Sequence, residues 1–257
     1  MASNFINAPV DAQIEWPRKE AVITFGRWEL ISFPPSRDHD ASLHLDLLRA
    51  GLSDVEAISV FNQLLSVASW LDDTFAVLLP GDSGSPVPCR PRRQTRRWPS
   101  SILDNWCNSW QPLKDEGARR ALAIYREAVN LDDFHSVPYA VLGFYKILES
   151  AYPQGSERAR NLEKEVAQLL AKKNIDERQL REIGFTPKDS PEQLAKFLKK
   201  AGRDAVAHAN KEPVVNPDDA RQQRRMSVAA SILRAAARSC IQNRFQVGTS
   251  CWNQTWQ

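Results

Sequence analysis

The chain has 257 residues, is 42% hydrophobic and 25% charged, and carries a net charge of +3, which suits a globular protein of one large domain or two modest ones. It has no run of about 18 apolar residues, so no membrane-spanning helix is expected, and "MASNFINAPVDAQIEWP" lacks the basic-then-apolar pattern of a secretory signal. A cytoplasmic protein is therefore expected, and its cysteines, Cys89, Cys107, Cys240 and Cys251, have neither the spacing of a zinc site nor that of a disulfide framework.

In chain order, "EAVITF" and "WELISF" flank Gly26-Arg27 and predict a β-hairpin. "ASLHLDLL" alternates as a third strand. Ser53 and Glu56 form a capping box for a helix whose Val60, Leu64, Val67 and Leu71 fall on one face. "TFAVLLP" predicts another strand. Residues 81–100 are rich in Gly, Pro, Ser and Arg and read as a loop or linker, followed by the tryptophan-bearing "SILDNWCNSW". From Leu113 onward the pattern is helical. One helix covers 116–131, and the next starts at Ser136 with Pro138 in its first turn and Val141, Phe144, Tyr145, Leu148 and Tyr152 inward. Helices near 157–173 and 176–183 follow. Ser190, Pro191 and Gln193 announce another, and a last helix runs from beyond Asn216-Pro217 to Phe245 with the stripe Met226, Ala229, Ala230, Leu233, Ala237, Cys240 and Ile241.

The fold class expected is therefore mainly α, in four parts. These are an α+β domain at 1–80, an Arg/Pro-rich linker and connector at 81–112, a helical bundle at 113–245 and a tail at 246–257.

Charge is unevenly spread. "CRPRRQTRRWPS" holds five arginines and no acid, and residues 185–245 hold twelve Lys or Arg against six Asp or Glu. Such patches suit polyanions, and equally a solvated linker and helix face.

The segment "GRDAVAHAN" sets Arg203 and Asp204 ahead of His208. Histidine titrates near neutrality and can act as acid or base, while arginine stays charged and can hold two phosphate oxygens. Residues five apart on an ideal α-helix point about 140° away from each other, so one straight helix does not bring both to one phosphate. A break at Gly202, a π-type bulge or a two-fold dimer would; the dimer is the favoured device. The alternative is a packed histidine bonded to backbone, with Arg203 and Asp204 as surface charge. Tyr145 and Glu149, on a neighbouring helix, suit a place facing the site, although Tyr145 falls in the core stripe and suits packing better. Asn210 and Lys211 suit substrate contact or helix capping. His39 and His44, among Asp38, Asp40 and Asp46, suit a metal or a polar loop. His135 suits helix entry. No Gly-rich phosphate loop, GxSxG elbow or HExxH is present, and no cofactor or metal is expected.

The Arg-x4-His spacing in a helical array resembles the HEPN superfamily. "RRALAIYREAVNL", "VPYAVLGFYKILES" and "RDAVAHANKEPVVNPDD" look like the bundle of the MauJ-type proteins, over roughly residues 113–245. The resemblance implies a HEPN-like helical bundle and a metal-independent endoribonuclease, often a toxin or antiviral effector and usually a homodimer. Arg203, Asp204 and His208 would be its centre. RNA would lie on Arg90, Arg92, Arg93, Arg96, Arg97, Lys199, Lys200, Asn210 and Lys211, and an antitoxin or operon-encoded protein would be a partner. A non-catalytic interaction module is the alternative. The MauJ name also points to an accessory role in amine metabolism, which no residue supports.

Overall fold

The structure is a computed structural model that describes residues 3–95, 99, 101–104, 106, 109–207, 216 and 219–249. The chain divides into two compact units, residues 1–126 with 248–257, and residues 127–247.

The first unit is built on a mixed sheet. Its strands are β1 (Phe5–Ala12), β3 (Ala21–Phe25), β4 (Trp28–Phe33), β5 (Ala41–Asp46), β6 (Ala76–Leu78), β7 (Asp82–Ser85) and β9 (Ser109–Trp110); β2 (Trp16–Pro17) pairs separately with β8 (Ile102–Leu103). The order is β6-β1-β5-β4-β3-β9, with β7 also on β1. All pairings in the larger sheet are antiparallel except β3 with β9, where Phe25 faces Trp110. The β3–β4 hairpin forms where the sequence places it. Gly26 sits at φ 61°, a left-handed turn position, and Pro112 Cδ would lie 2.9 Å from any added Cβ.

Helix α1 (Leu47–Ala50) follows β5, and α2 (Asp54–Asp72) starts with the expected Ser53–Glu56 capping box. Its Val60, Phe61, Leu64, Leu65, Val67 and Trp70 are buried. Trp70 packs edge-on against Tyr125, whose hydroxyl donates to Asp73.

This unit corrects the expected fold class, which was mainly α with a small N-terminal α+β region and a HEPN-like helical bundle. A seven-stranded sheet extends to Trp110, so the β structure is neither small nor confined to residues 1–80. Residues 81–112, expected as a linker, supply β7, β8 and β9. Here the reason is length. Strands of two to four residues have no readable period, and each is stabilised by a partner distant in sequence. Trp106 packs against Trp16 at 6.2 Å and Trp110 at 5.4 Å, so part of the tryptophan-bearing connector is core.

The boundary between the units falls within α3 (Glu116–Asp133). The second unit continues with α4 (Val137–Ala151), α5 (Gly155–Ala171), α6 (Glu177–Glu182), α7 (Pro191–Phe197), a π-helical segment (Leu198–Asp204), α8 (Ala205–Ala207) and α9 (Ala220–Arg244). Helix α4 packs along α9, and α5 along α7. The α9 stripe named from the sequence is buried throughout, and its alanines let α4 approach closely. Gly143 of α4 meets Ala128 of α3, where an added Cβ would lie 2.7 Å from the alanine Cβ. Helix α6 spans only 6 residues, and α7, the π segment and α8 form one helical run over residues 191–207 that the π segment distorts, so a regular HEPN-like helical array is not clearly displayed by this unit. Among the described residues no helix is long and apolar enough to cross a membrane.

Candidate functional site

The chain from Ser190 starts as the sequence predicts. The Ser190 side chain accepts from the Gln193 amide, and Gln193 accepts from the Ser190 amide. After Phe197 the hydrogen-bond ladder lengthens, and the Ala205 amide reaches back to the Lys200 carbonyl. An extra residue in a turn retards everything after it by roughly 100° relative to a straight α-helix. On a straight helix Arg203 would point away from the stripe begun by Leu194 and Leu198. Instead it is turned onto the flank that faces α4. Gly202 takes an inward position, 3.5 Å from Val141 Cγ1 by its would-be Cβ.

The consequence is a part-buried charged cluster. Arg203 Nη2 donates to Glu149 Oε1 of α4 at 3.1 Å, and Nη1 donates to Asp204 Oδ1 at 3.0 Å. The side chains of Arg203 and Glu149 are each 29% exposed, so this is no solvated surface pair. Burial opposes the guanidinium's charge, but the Asp204 bond and the nearby Glu149 and Asp204 charges outweigh it and raise its pKa. Tyr145 lies in the same cluster. Its hydroxyl is pushed above the ordinary phenol value, first by burial, against the bond and charge of Arg158 and with the charges of Glu149 and Asp204. The Arg158 guanidinium also lies 5.8 Å from the Tyr145 ring centroid and donates to the Tyr152 carbonyl at 3.1 Å. The cluster thus holds a fixed cation between two acceptors, beside a phenol that stays protonated.

Of the expected centre, Arg203 and Asp204 are together and Glu149 joins them. His208, Asn210 and Lys211 lie outside the described residues. Lys199 and Lys200 are exposed on the π segment. The linker arginines have structural bonds: Arg90 donates to the Pro34 carbonyl at 2.7 Å and lies over the Phe33 ring, while Arg93 donates to the Ser36 and Thr95 carbonyls. Buried Asp40 holds the same segment by accepting from the Gln94 and Thr95 amides and the Thr95 hydroxyl. Arg92 bridges His39, and Arg96 and Arg97 lie outside the described residues. Arg158 was not singled out from the sequence, because nothing local ties a residue of α5 to the Tyr145 ring.

His44 resolves differently from its sequence setting. On β5, it is fully buried, with Nδ1 2.8 Å from Asn7 Oδ1 and Nε2 2.8 Å from Ser42 Oγ. Asn7 Oδ1 also accepts the Cys89 amide, so Nδ1 carries the proton and donates, and Ser42 donates to Nε2. The spacing is that of a serine–histidine relay, but Ser42 has no solvent exposure and no substrate reaches it. Burial first, then Arg90, drives the His44 pKa down to about 4 against a weaker pull from Asp82. Among the described residues no group of three or more His, Cys, Asp or Glu side chains could hold a metal ion.

The fold and the cluster define a sheet-based unit joined to a helical unit whose polar centre is built at a π-helical distortion. Over residues 121–242, a little under half of the chain, the sequence is similar to the family described as methylamine utilization protein MauJ. Neither a curated protein nor a solved structure matches it.

Proposed function

We propose that the protein is a metal-independent endoribonuclease of the HEPN kind, with Arg203, Asp204 and His208 as its centre. The observation that carries this reading is the π segment, which turns Arg203 into a part-buried cluster with Glu149 and Tyr145. Such distortions recur at functional sites, and an oriented guanidinium is what a phosphodiester in transit to a phosphorane needs. The RNA 2′-hydroxyl attacks the adjacent phosphorus while His208 manages its proton, and the P–O5′ bond breaks. The O5′ leaving group takes up a proton, leaving a 2′,3′-cyclic phosphate and a 5′-hydroxyl. Arg203 stabilises the equatorial oxygens, and Glu149 and Asp204 hold its fork in place. Action as a homodimer, with a toxin or defence role and an operon-encoded partner, belongs to the same reading.

Purified wild type, His208→Ala and Arg203→Lys are compared on cellular RNA with excess chelator. The expected result is cutting to cyclic-phosphate ends by wild type, reduced roughly 10²-fold or more in His208→Ala. Equal cutting by His208→Ala, or none by a folded wild type, overturns the reading. A second reading, a non-catalytic interaction module, is favoured by the pairing of Arg203 with carboxylates on two sides. It predicts that folded protein cuts nothing, and that Arg203→Lys alters only stability or association.

A further inference from the structure

Away from the Arg203 cluster, the second unit contains a cleft of about 420 Å³ lined by Arg178, Arg181, Glu182, Arg221, Arg224 and Arg225. Arg178 and Arg181 are three apart on α6, and Arg221, Arg224 and Arg225 stand at i, i+3 and i+4 on α9, so each helix gathers its cations on one face. Among the described residues Arg178, Arg221, Arg224 and Arg225 have no carboxylate within ion-pair distance, and Arg181 pairs only with Glu177 at 3.3 Å. Like charges on one helix face repel, and cations in the first turns of a helix oppose its dipole. Glu177 offsets Arg181, the Phe197 ring holds Arg225 and Asp219 lies near Arg221, so folding accounts for part of the cluster; the excess of five arginines over Glu182 in the lining suits an anionic ligand.

The lining says which anion. No aromatic or apolar side chain is among the lining residues, so nothing stacks a base or anchors in an acyl layer. Guanidiniums from two facing helices read phosphates in a row. Arg225 also stacks over the Phe197 ring at 5.3 Å, and Phe197 immediately precedes the π segment, about 9 Å before Arg203 along the helix axis. We propose that this cleft binds the phosphodiester backbone of single-stranded RNA without regard to sequence and leads it to the Arg203 cluster; the choice of RNA among polyanions rests on the ribonuclease reading.

The test is anisotropy of a fluorescent 2′-O-methyl 15-mer, which transesterification cannot cut, titrated with the full chain at several salt concentrations. Five phosphate contacts give a slope of about −3.5, or an affinity loss of about 100-fold between 50 and 200 mM salt. The triple variant Arg178→Gln/Arg221→Gln/Arg224→Gln keeps two contacts, so its loss over that range falls to about 7-fold and its affinity at 50 mM salt drops at least tenfold. All three side chains are exposed, and circular dichroism verifies folding. If the triple variant is unfolded, Arg224→Gln alone is read for a slope shallower by about 0.7. Unchanged slope and affinity in the folded variant overturn the proposal. So does wild type that ignores the oligonucleotide and sediments with phosphatidylserine vesicles. Wild type that binds the oligonucleotide through the cleft but cuts no RNA leaves this proposal standing and overturns the nuclease reading. Cutting that persists while the triple variant binds as wild type does the reverse.

Discussion

His44 makes a quantitative prediction about acid stability. In the folded protein its pKa is lowered to about 4 from 6.5, because it is buried and Arg90 adds a repelling charge that outweighs the opposing pull of Asp82. The unfolded chain binds a proton below about pH 6.5, whereas the folded chain resists until about pH 4. Stability contributed by His44 is therefore full above pH 6.5 and is lost as pH falls through this window. At about 1.4 kcal/mol per unit, the total is about 3 kcal/mol, of which about 2 kcal/mol is gone by pH 5. Asp72, whose pKa is raised to about 6 by burial, acts in the opposite direction in the same range, so the comparison must isolate the histidine. The direct assay is an NMR titration of the imidazole ring protons. One of the four histidines should stay neutral until the protein approaches pH 4 or unfolds. Urea midpoints of wild type and His44→Gln, taken from pH 7 to 5, should converge as the pH falls. A His44 ring that titrates near 6.5 in the folded protein would refute the sealed hydrogen-bonded arrangement.

Two further predictions concern the helical unit. Gly143→Ala forces a Cβ to 2.7 Å from Ala128 and should cost about 1–3 kcal/mol in urea unfolding. Gly202→Ala meets Val141 at an ordinary 3.5 Å and should be neutral or stabilising by up to about 1 kcal/mol. Deleting Ala201 removes the extra residue of the π segment and swings Arg203 by roughly 100° away from Glu149. Helix content by circular dichroism should be retained while any RNA cleavage is lost; cleavage at the wild-type rate would show that the π turn does not aim a catalytic arginine.

What could be read along the chain was whatever is decided within a few residues. The capping boxes at Ser53 and Ser190, the turn at Gly26 and the alanine-rich stripe of α9 all formed where local chemistry places them. Each rests on side chains and amides three or four positions apart, so no distant partner has to be known. The sheet was hidden for the converse reason. β1 reads as an irregular run with Asn7, Pro9 and Asp11, and it becomes a strand only because Phe5–Val10 pair with Ala41–Asp46 and Val10–Ala12 with Ala76–Leu78. The Arg/Pro-rich stretch likewise ceases to be a linker once Asp40 and the carbonyls of Pro34 and Ser36 bind it.

The candidate site divides along the same line. Arg203 and Asp204 could be named from their residue types and spacing, and Glu149 from its place on a neighbouring helix. Whether Arg203 faced water or α4 depended on a single extra residue in one turn, which no periodicity reveals because a π turn and an α turn share the same residues. His44 sits on an alternating strand that is legible, but its lowered pKa comes from burial and from the nearby charge of Arg90, and its orientation from Asn7 and Ser42. The chemistry of these side chains was in the chain; their direction and ionisation came from partners tens of residues away.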